Sequence, residues 1–436
     1  MMKPGWRRAV RALEHRNFQL YFGGQGLSVI GTWMTRTAMA WLVYRLTGSA
    51  ILLGVVAFAG QIPTFILAPF AGVWVDRLPR RPLLVITQSL AMVESFALAA
   101  LALTHITIPE IIALNCFQGL INAFDMPGRQ SFLVEMVEGR AALGNAIALN
   151  SSMVNLARLI GPALGGFIIA LWGEGYCFLI DGVSYIAVIA SLLAMTNLPA
   201  RVAQARSSMV EALGEGWKFV SGFAPARNLL LLLALVSLVG MPYSVLMPLF
   251  AGNILHGGAH TLGFLLGAAG AGALVGAVRL AARPSVRGLT RVVPMSAVIF
   301  GAGLFAFGFS RWLWLSLPFI FVAGLGMMQQ MASTNTILQT VASDENRGRV
   351  MAFYTMAFVG MAPFGSLLAG WLAEHMGAPH TLILNGVVCM LGAVWFTRQL
   401  PAVREAIRPV YRKLGILPEM TAGVQSASAL TTPPEN

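Results

Sequence analysis

Gly72-Val73-Trp74-Val75-Asp76-Arg77-Leu78-Pro79-Arg80-Arg81 places one carboxylate and three arginines between two long apolar runs. The runs on either side, 50 to 75 and 83 to 104, each suffice to cross a bilayer, which takes about 20 apolar residues. The stretch therefore reads as a tight loop joining two membrane spans. Gly72 lets the preceding helix approach a neighbour closely. Asp76 is a carboxylate at the membrane edge, suited to a helix N-terminus or an arginine.

The same alternation continues in both directions. Of 436 residues, 57% are hydrophobic and 11% charged, whereas soluble domains carry charge on roughly a quarter of their residues. Twelve spans are predicted, at 17–44, 50–75, 83–104, 109–127, 142–172, 176–198, 228–253, 261–283, 291–309, 312–335, 350–375 and 380–398. This predicts an all-α integral membrane protein.

A net charge of +12 raises the question of nucleic acid, and the placement of the basic residues answers it. With the N-terminus inside, all but four of the 29 Lys and Arg fall in inner segments; the exceptions are Arg45 and Arg311 outside and Arg36 and Arg158 within spans. Positive charge on alternate loops sets the orientation of membrane proteins, so both termini are predicted to be cytoplasmic, in a bacterial inner membrane. Charge spread over separate loops makes no nucleic-acid patch. Residues 1–16 have the basic character of a signal-peptide start, but the span that follows is too long and lacks a cleavage site. Cys116, Cys177 and Cys389 all lie in spans, without disulfide or metal-type spacing. No cofactor or metal is expected, and a monomer is.

Residues 199–227 form the longest interior polar break, with six spans on either side. The predicted organisation is a basic N-terminus (1–16), a first bundle (17–198), a cytoplasmic linker (199–227), a second bundle (228–399) and a partly disordered tail (400–436). Gly161, Gly166, Gly173 and Asp181-Gly182 recur as Gly365, Gly370, Gly377 and Asn385-Gly386 at a constant offset of 204 residues. The two halves thus read as a parallel repeat.

The 72–81 stretch resembles the GxxxDRxxRR loop signature of the major facilitator superfamily. Arg158-Leu-Ile-Gly161-Pro162-Ala-Leu-Gly165-Gly166 contains GPxxGG, similar to the fifth-helix motif of its antiporters, although Ala148 and Ala157 stand where the longer motif has glycine. Longer stretches, among them Trp41 to Ser49, Asp125 to Gln130, Asn145 to Asn150 and Arg347 to Met351, resemble the transmembrane secretion effector branch, which holds enterobactin exporters and macrolide-efflux-like proteins. The resemblance implies twelve helices in two six-helix bundles. It also implies a cytoplasmic gate at Gly72, Asp76, Arg77, Arg80 and Arg81, and export, through the motif at Gly161, Pro162, Gly165 and Gly166. One departure is Asn115, which precedes Gln118-Gly119 where many proton-coupled drug exporters have arginine.

In this fold helices 1, 4, 7 and 10 surround the cavity, at a site near the bilayer midplane. Helix 1 carries Gln25, Ser28, Thr32 and Arg36 on one face; helix 4 carries Asn115, Gln118, Asn122 and Asp125. Tyr243 in helix 7, with Gln329 and Ser333 beside Met327, Met328 and Met331 in helix 10, completes the predicted substrate pathway. Ionisable residues within spans count as functional candidates, which makes Arg36, Glu94, Asp125, Arg158 and Asp181 the coupling candidates, with Arg158 and Asp181 predicted to compensate each other. The expected function is secondary transport of a small amphiphilic molecule, of drug or siderophore type, out of the cell by alternating access with proton antiport. An importer or lysophospholipid flippase on the same fold is the alternative. An integral-membrane enzyme would need a catalytic constellation, and neither HExxH nor GxSxG is present; nor is the phosphate-binding GxxxxGK[ST] of an ATP-driven pump.

Overall fold

A chain inside lipid must satisfy its own backbone hydrogen bonds, so each apolar run closes into a helix. The computed structural model describes residues 11–196, 209–283 and 285–416. The helices are α1 (Arg16–Thr47), α2 (Ala50–Arg77), α3 (Arg80–Leu103), α4 (Ile108–Phe132), α5 (Arg140–Trp172) and α6 (Glu174–Ala194) in the first half. The second half has α7 (Ala224–Ile254), α8 (Ala259–Ala281), α9 (Leu289–Phe309), α10 (Leu313–Val341), α11 in two pieces (Asp344–Phe358 and Met361–Met376) and α12 (Ala378–Lys413). Ten of them are long and apolar enough to cross a membrane on composition alone; the two others are α1 and α4, whose sequences carry the polar stripes.

Within the first half α1 packs on α5 and α6, α2 on α4, and α3 on α4 and α6; within the second, α10 lies between α8 and α9, and α12 packs on α9 and α7. Two seams join the halves, α5 against α8 and α2 against α11. Glycines allow both. A Cβ on Gly166 would stand 2.7 Å from the Ala259 carbonyl oxygen, and one on Gly370 2.7 Å from that of Ala50.

The 204-residue repeat is visible in these contacts. Gly161 meets α1 at Trp33 and Ile30, and its counterpart Gly365 meets α7 at Pro242; Gly182 meets Phe96 of α3, and Gly386 meets Phe305 of α9. Gly173 and Gly377 both take a positive φ (92° and 84°) that ends one helix and begins the next. Each half therefore repeats the same neighbour relations.

Three stretches carry detail beyond the sequence expectation. α7 is not one even helix: π turns occupy Val236–Gly240 and Phe250–Ile254, because Pro242 and Pro248 lack the N–H a regular ladder needs. Part of the linker, Met209–Gly222, is a helix docked on α11, with the Trp217 and Phe353 rings 6.1 Å apart; residues 199–208 of the linker lie outside the described residues. The basic stretch after Leu400 continues α12 and buries Val403, Ile407 and Tyr411 at four-residue spacing. The predicted disorder at 417–436 lies outside the described residues, as do residues 1–10.

Candidate functional site

The loops rich in Lys and Arg lie at one end of the bundles, here the basic end. The described polar contacts between the halves gather at the opposite end. There Tyr44 donates to Asn253 Oδ1 at 2.6 Å, and Glu374 Oε2 accepts from the Ser49 hydroxyl and the Ile51 N–H, both at 3.1 Å. Glu374 thus caps the first turn of α2 from across the seam, where unsatisfied N–H groups and the helix dipole favour an anion. A pocket of about 280 Å³, lined in part by Ala50, Asn253 and Glu374, remains at this closed end. At the basic end a more open pocket of about 460 Å³ is lined by Thr336, Gln339, Thr340, Arg347 and Leu414. Hydrogen bonds to a charged group contribute about 1.5–3 kcal/mol, and solvent exposure lowers that toward 1 kcal/mol. Glu374→Gln is accordingly expected to raise labelling of a cysteine placed at Asn253 about fivefold from the outer side; unchanged labelling would show that the Glu374 contacts do not hold this end shut.

Along α1 the predicted stripe divides. Gln25 and Ser28 are buried, whereas Thr32 is partly open and Arg36 is exposed. Arg36 lies over the Trp33 ring, its Cζ 5.0 Å from the ring centre, and Arg158 of α5 lies over the same ring at 5.3 Å. Arg158 is not paired with Asp181, contrary to the sequence expectation. Asp181 instead accepts from Ser184 at 3.5 Å, and Gly31 of α1 passes so close that a Cβ there would stand 2.5 Å from Oδ1.

On α4, Asn115, Gln118 and Asn122 are partly open, with Asn115 beside Gly60 of α2. Asp125 departs from the predicted face: it is 2% exposed and accepts from Thr87 (2.9 Å) and Gln88 (2.7 Å) of α3 while pairing with Arg129. The cause is helical drift. Steps of three, four and three residues from position 115 turn the face by about 80° at 100° per residue, enough to aim position 125 at the neighbouring helix. Asp125 is thus a clasp between α3 and α4.

The predicted pathway residues of the second half are also buried. Gln329 and Ser333 sit inside the bundle because Gly276 of α8 and Gly326 of α10 bring α8 and α9 close on either side of α10. Tyr243 is buried edge-on against Phe300 of α9. The open polar face of α10 is one turn further on, at Asn335, Thr336, Gln339 and Thr340.

Glu94 and Asp181 are 5% and 1% exposed, on the packed helices α3 and α6. Ser95 donates to Glu94 at 3.5 Å. Two carboxyl groups in the interior of the first bundle are costly in a membrane, and neither has a basic partner within ion-pair distance among the described residues.

The profile of the transmembrane secretion effector family matches residues 9–416. The chain belongs to this family of major facilitator transporters. It is 30% identical over 389 residues to the multidrug efflux pump Tap of Mycolicibacterium fortuitum, covering 86% of this chain and 93% of the relative. It is 25% identical over 386 residues to the staphyloferrin A transporter of Staphylococcus aureus, covering 86% and 95%. Among solved structures, a POT family transporter aligns with a TM-score of 0.72 at 10% identity, covering 89% of this chain and 97% of that one. The nucleoside transporter NupG, as a D323A mutant, aligns at 0.68 and 15%, covering 88% and 99%. These two establish the fold. The protein is a multi-pass membrane transporter related to siderophore and drug transporters, and not an enzyme.

In this secretion effector the loop signature ties the ends of its own bundle together. Arg80 donates to the Ser131 carbonyl (2.9 Å) and pairs with Glu135 (2.6 Å), while Arg81 donates to the Leu193 carbonyl (2.6 Å). Arg77 is exposed, and the surroundings of Gly72 and Asp76 lie outside the described residues. The α5 motif lies on the seam: Gly161 on Trp33, Gly165 on Met34 and Gly166 on α8. Sequence reasoning missed Trp33, Arg129, Glu135 and Glu374. Trp33 and Arg129 had a usable signal, since each lies three or four residues from a charged candidate on the same helix. Glu374 had none, standing 323 residues from the N–H it caps.

Proposed function

We propose that this transporter exports small amphiphilic molecules of drug or siderophore type from the cytoplasm by alternating access, coupled to proton entry. The observation that carries the reading is the position of Gly161 to Gly166. This antiporter-type segment touches both α1 and α8, the surfaces that must slide if the far end is to open. The relatives named for efflux support the direction. The basic end faces the cytoplasm on the positive-inside rule, so the chain closes toward the outside in an inner membrane. Glu94 and Asp181 are the coupling pair in this reading; Asp125, engaged with Thr87, Gln88 and Arg129 of its own bundle, is not.

The test is efflux from everted vesicles, with siderophores and antibiotics as cargo, with and without a pH gradient. Cargo-dependent dissipation of the gradient is expected, and uptake in the opposite sense would favour an importer or lysophospholipid flippase. Arg36→Ala is expected to abolish export at unchanged membrane abundance. Full transport by that variant would remove Arg36 from the pathway.

A further inference from the structure

Trp33 carries two guanidinium groups from different helices. With Cζ atoms 5.0 and 5.3 Å from one ring centre, the charges of Arg36 and Arg158 stand no more than about 10 Å apart, close to one Debye length even in saline. Like charges so placed repel, and an indole face offsets that only in part. Arg45, Arg80 and Arg129 each have a carboxylate at ion-pair distance. Among the described residues, Arg36 and Arg158 have none. Asp181 is packed against Gly31 and holds Ser184.

Arg36 is exposed and Trp33 and Arg158 are half-buried. Arg158 stands on the α5 seam with α8, where a Cβ on Gly270 would lie 2.8 Å from the Arg158 carbonyl oxygen, so the pair stands beside the junction of the bundles. A guanidinium cannot be neutralised by losing its proton and binds planar oxyanions through a fork of N–H groups. The indole offers a flat apolar face next to that fork.

We infer that Arg36, Trp33 and Arg158 form a subsite for an anionic group of the cargo, a carboxylate or phosphate joined to a flat apolar body. This refines the cargo class and rests on the transporter reading above, but not on the direction of transport. Cargo with a single positive charge is disfavoured here by the same two arginines.

The experiment is equilibrium dialysis of the full chain in phosphatidylcholine nanodiscs, using radiolabelled 1-naphthoate and, as its cationic counterpart, 1-naphthylmethylammonium. Saturable binding of naphthoate and not of the amine is expected. Arg36→Gln and Arg158→Gln should each weaken it about tenfold or more, Arg36→Lys less than Arg36→Gln, and Trp33→Leu should weaken it with all charges retained. Gel filtration of each variant reports the fold, and the lysine and leucine variants keep the test decisive if a glutamine variant aggregates. No saturable naphthoate binding, preference for the amine, or unchanged binding in the folded variants would overturn the subsite. Naphthoate binding without efflux from everted vesicles would keep the subsite and reject the export reading; efflux without naphthoate binding would do the reverse.

Discussion

Gly166→Leu is expected to reduce transport to background while the protein still reaches the membrane. A Cβ at this position would stand 2.7 Å from the Ala259 carbonyl oxygen and 3.0 Å from the Gly263 Cα. Both are backbone atoms of α8, which cannot rotate aside as a side chain can. The remaining leucine atoms would force α5 and α8 apart along the seam that closes the outer end. Overpacking inside a bundle costs about 1–3 kcal/mol, but here relief is available by leaving the closed state, so the cost falls on the conformational equilibrium. Vesicle transport together with labelling of a cysteine at Asn253 checks this: labelling should rise as transport falls. Gly370→Leu, at the equivalent place on the α2 seam, should behave alike. Normal transport by either variant would mean that the outer end need not close this tightly during the cycle.

Asp125→Ala should destabilise the protein rather than uncouple it. The carboxylate holds Thr87, Gln88 and Arg129 together, and its removal leaves Arg129 with its partner gone. Breaking a buried pair from one side costs about 3–5 kcal/mol, and the cost here is lower because the Arg129 left behind is 29% exposed. A lower melting temperature in detergent and reduced membrane abundance are expected, with Asp125→Asn intermediate because the amide oxygen still accepts from Thr87 or Gln88. A variant of wild-type stability that transports without a pH gradient would return Asp125 to the coupling mechanism.

The two variants concern residues that the sequence presents in very different ways. Gly166 was readable twice over, in GPxxGG and in its match to Gly370, because a close helix crossing can be made only by a small residue and a repeated fold repeats its crossings. Asp125 was readable as an ionisable residue in a span, but its role was not. A stripe drawn at three- and four-residue spacing turns as it climbs, and the direction in which it ends depends on which helix stands there. Gln329 and Ser333 show the same limit. Polar residues on α10 are as compatible with a cavity wall as with a buried interhelical face until α8 and α9 are in place.

Trp33, Arg36 and Arg158 mark the boundary most clearly. Arg36 and Arg158 stand out in sequence because charge within a span is costly, yet the ring they share comes from tertiary packing, as Gly161 lets α5 settle against Trp33. Glu374 on the first turn of α2 lay beyond sequence reasoning altogether, since nothing local to either residue records a contact across two bundles.

What the sequence determined alone was the twelve-helix membrane fold and its half-to-half repeat, which follow from apolar length, loop charge and glycine spacing, while the family followed from the resemblance of its motifs, 72–81 and 161–166 among them. The 72–81 stretch was enough to place two spans and the loop between them. Tertiary structure decided which polar residues face water, which arginines have partners, and that Arg80 and Arg81 brace their own bundle. These depend on the rotation and approach of helices, which several distant neighbours set jointly and no single helix encodes.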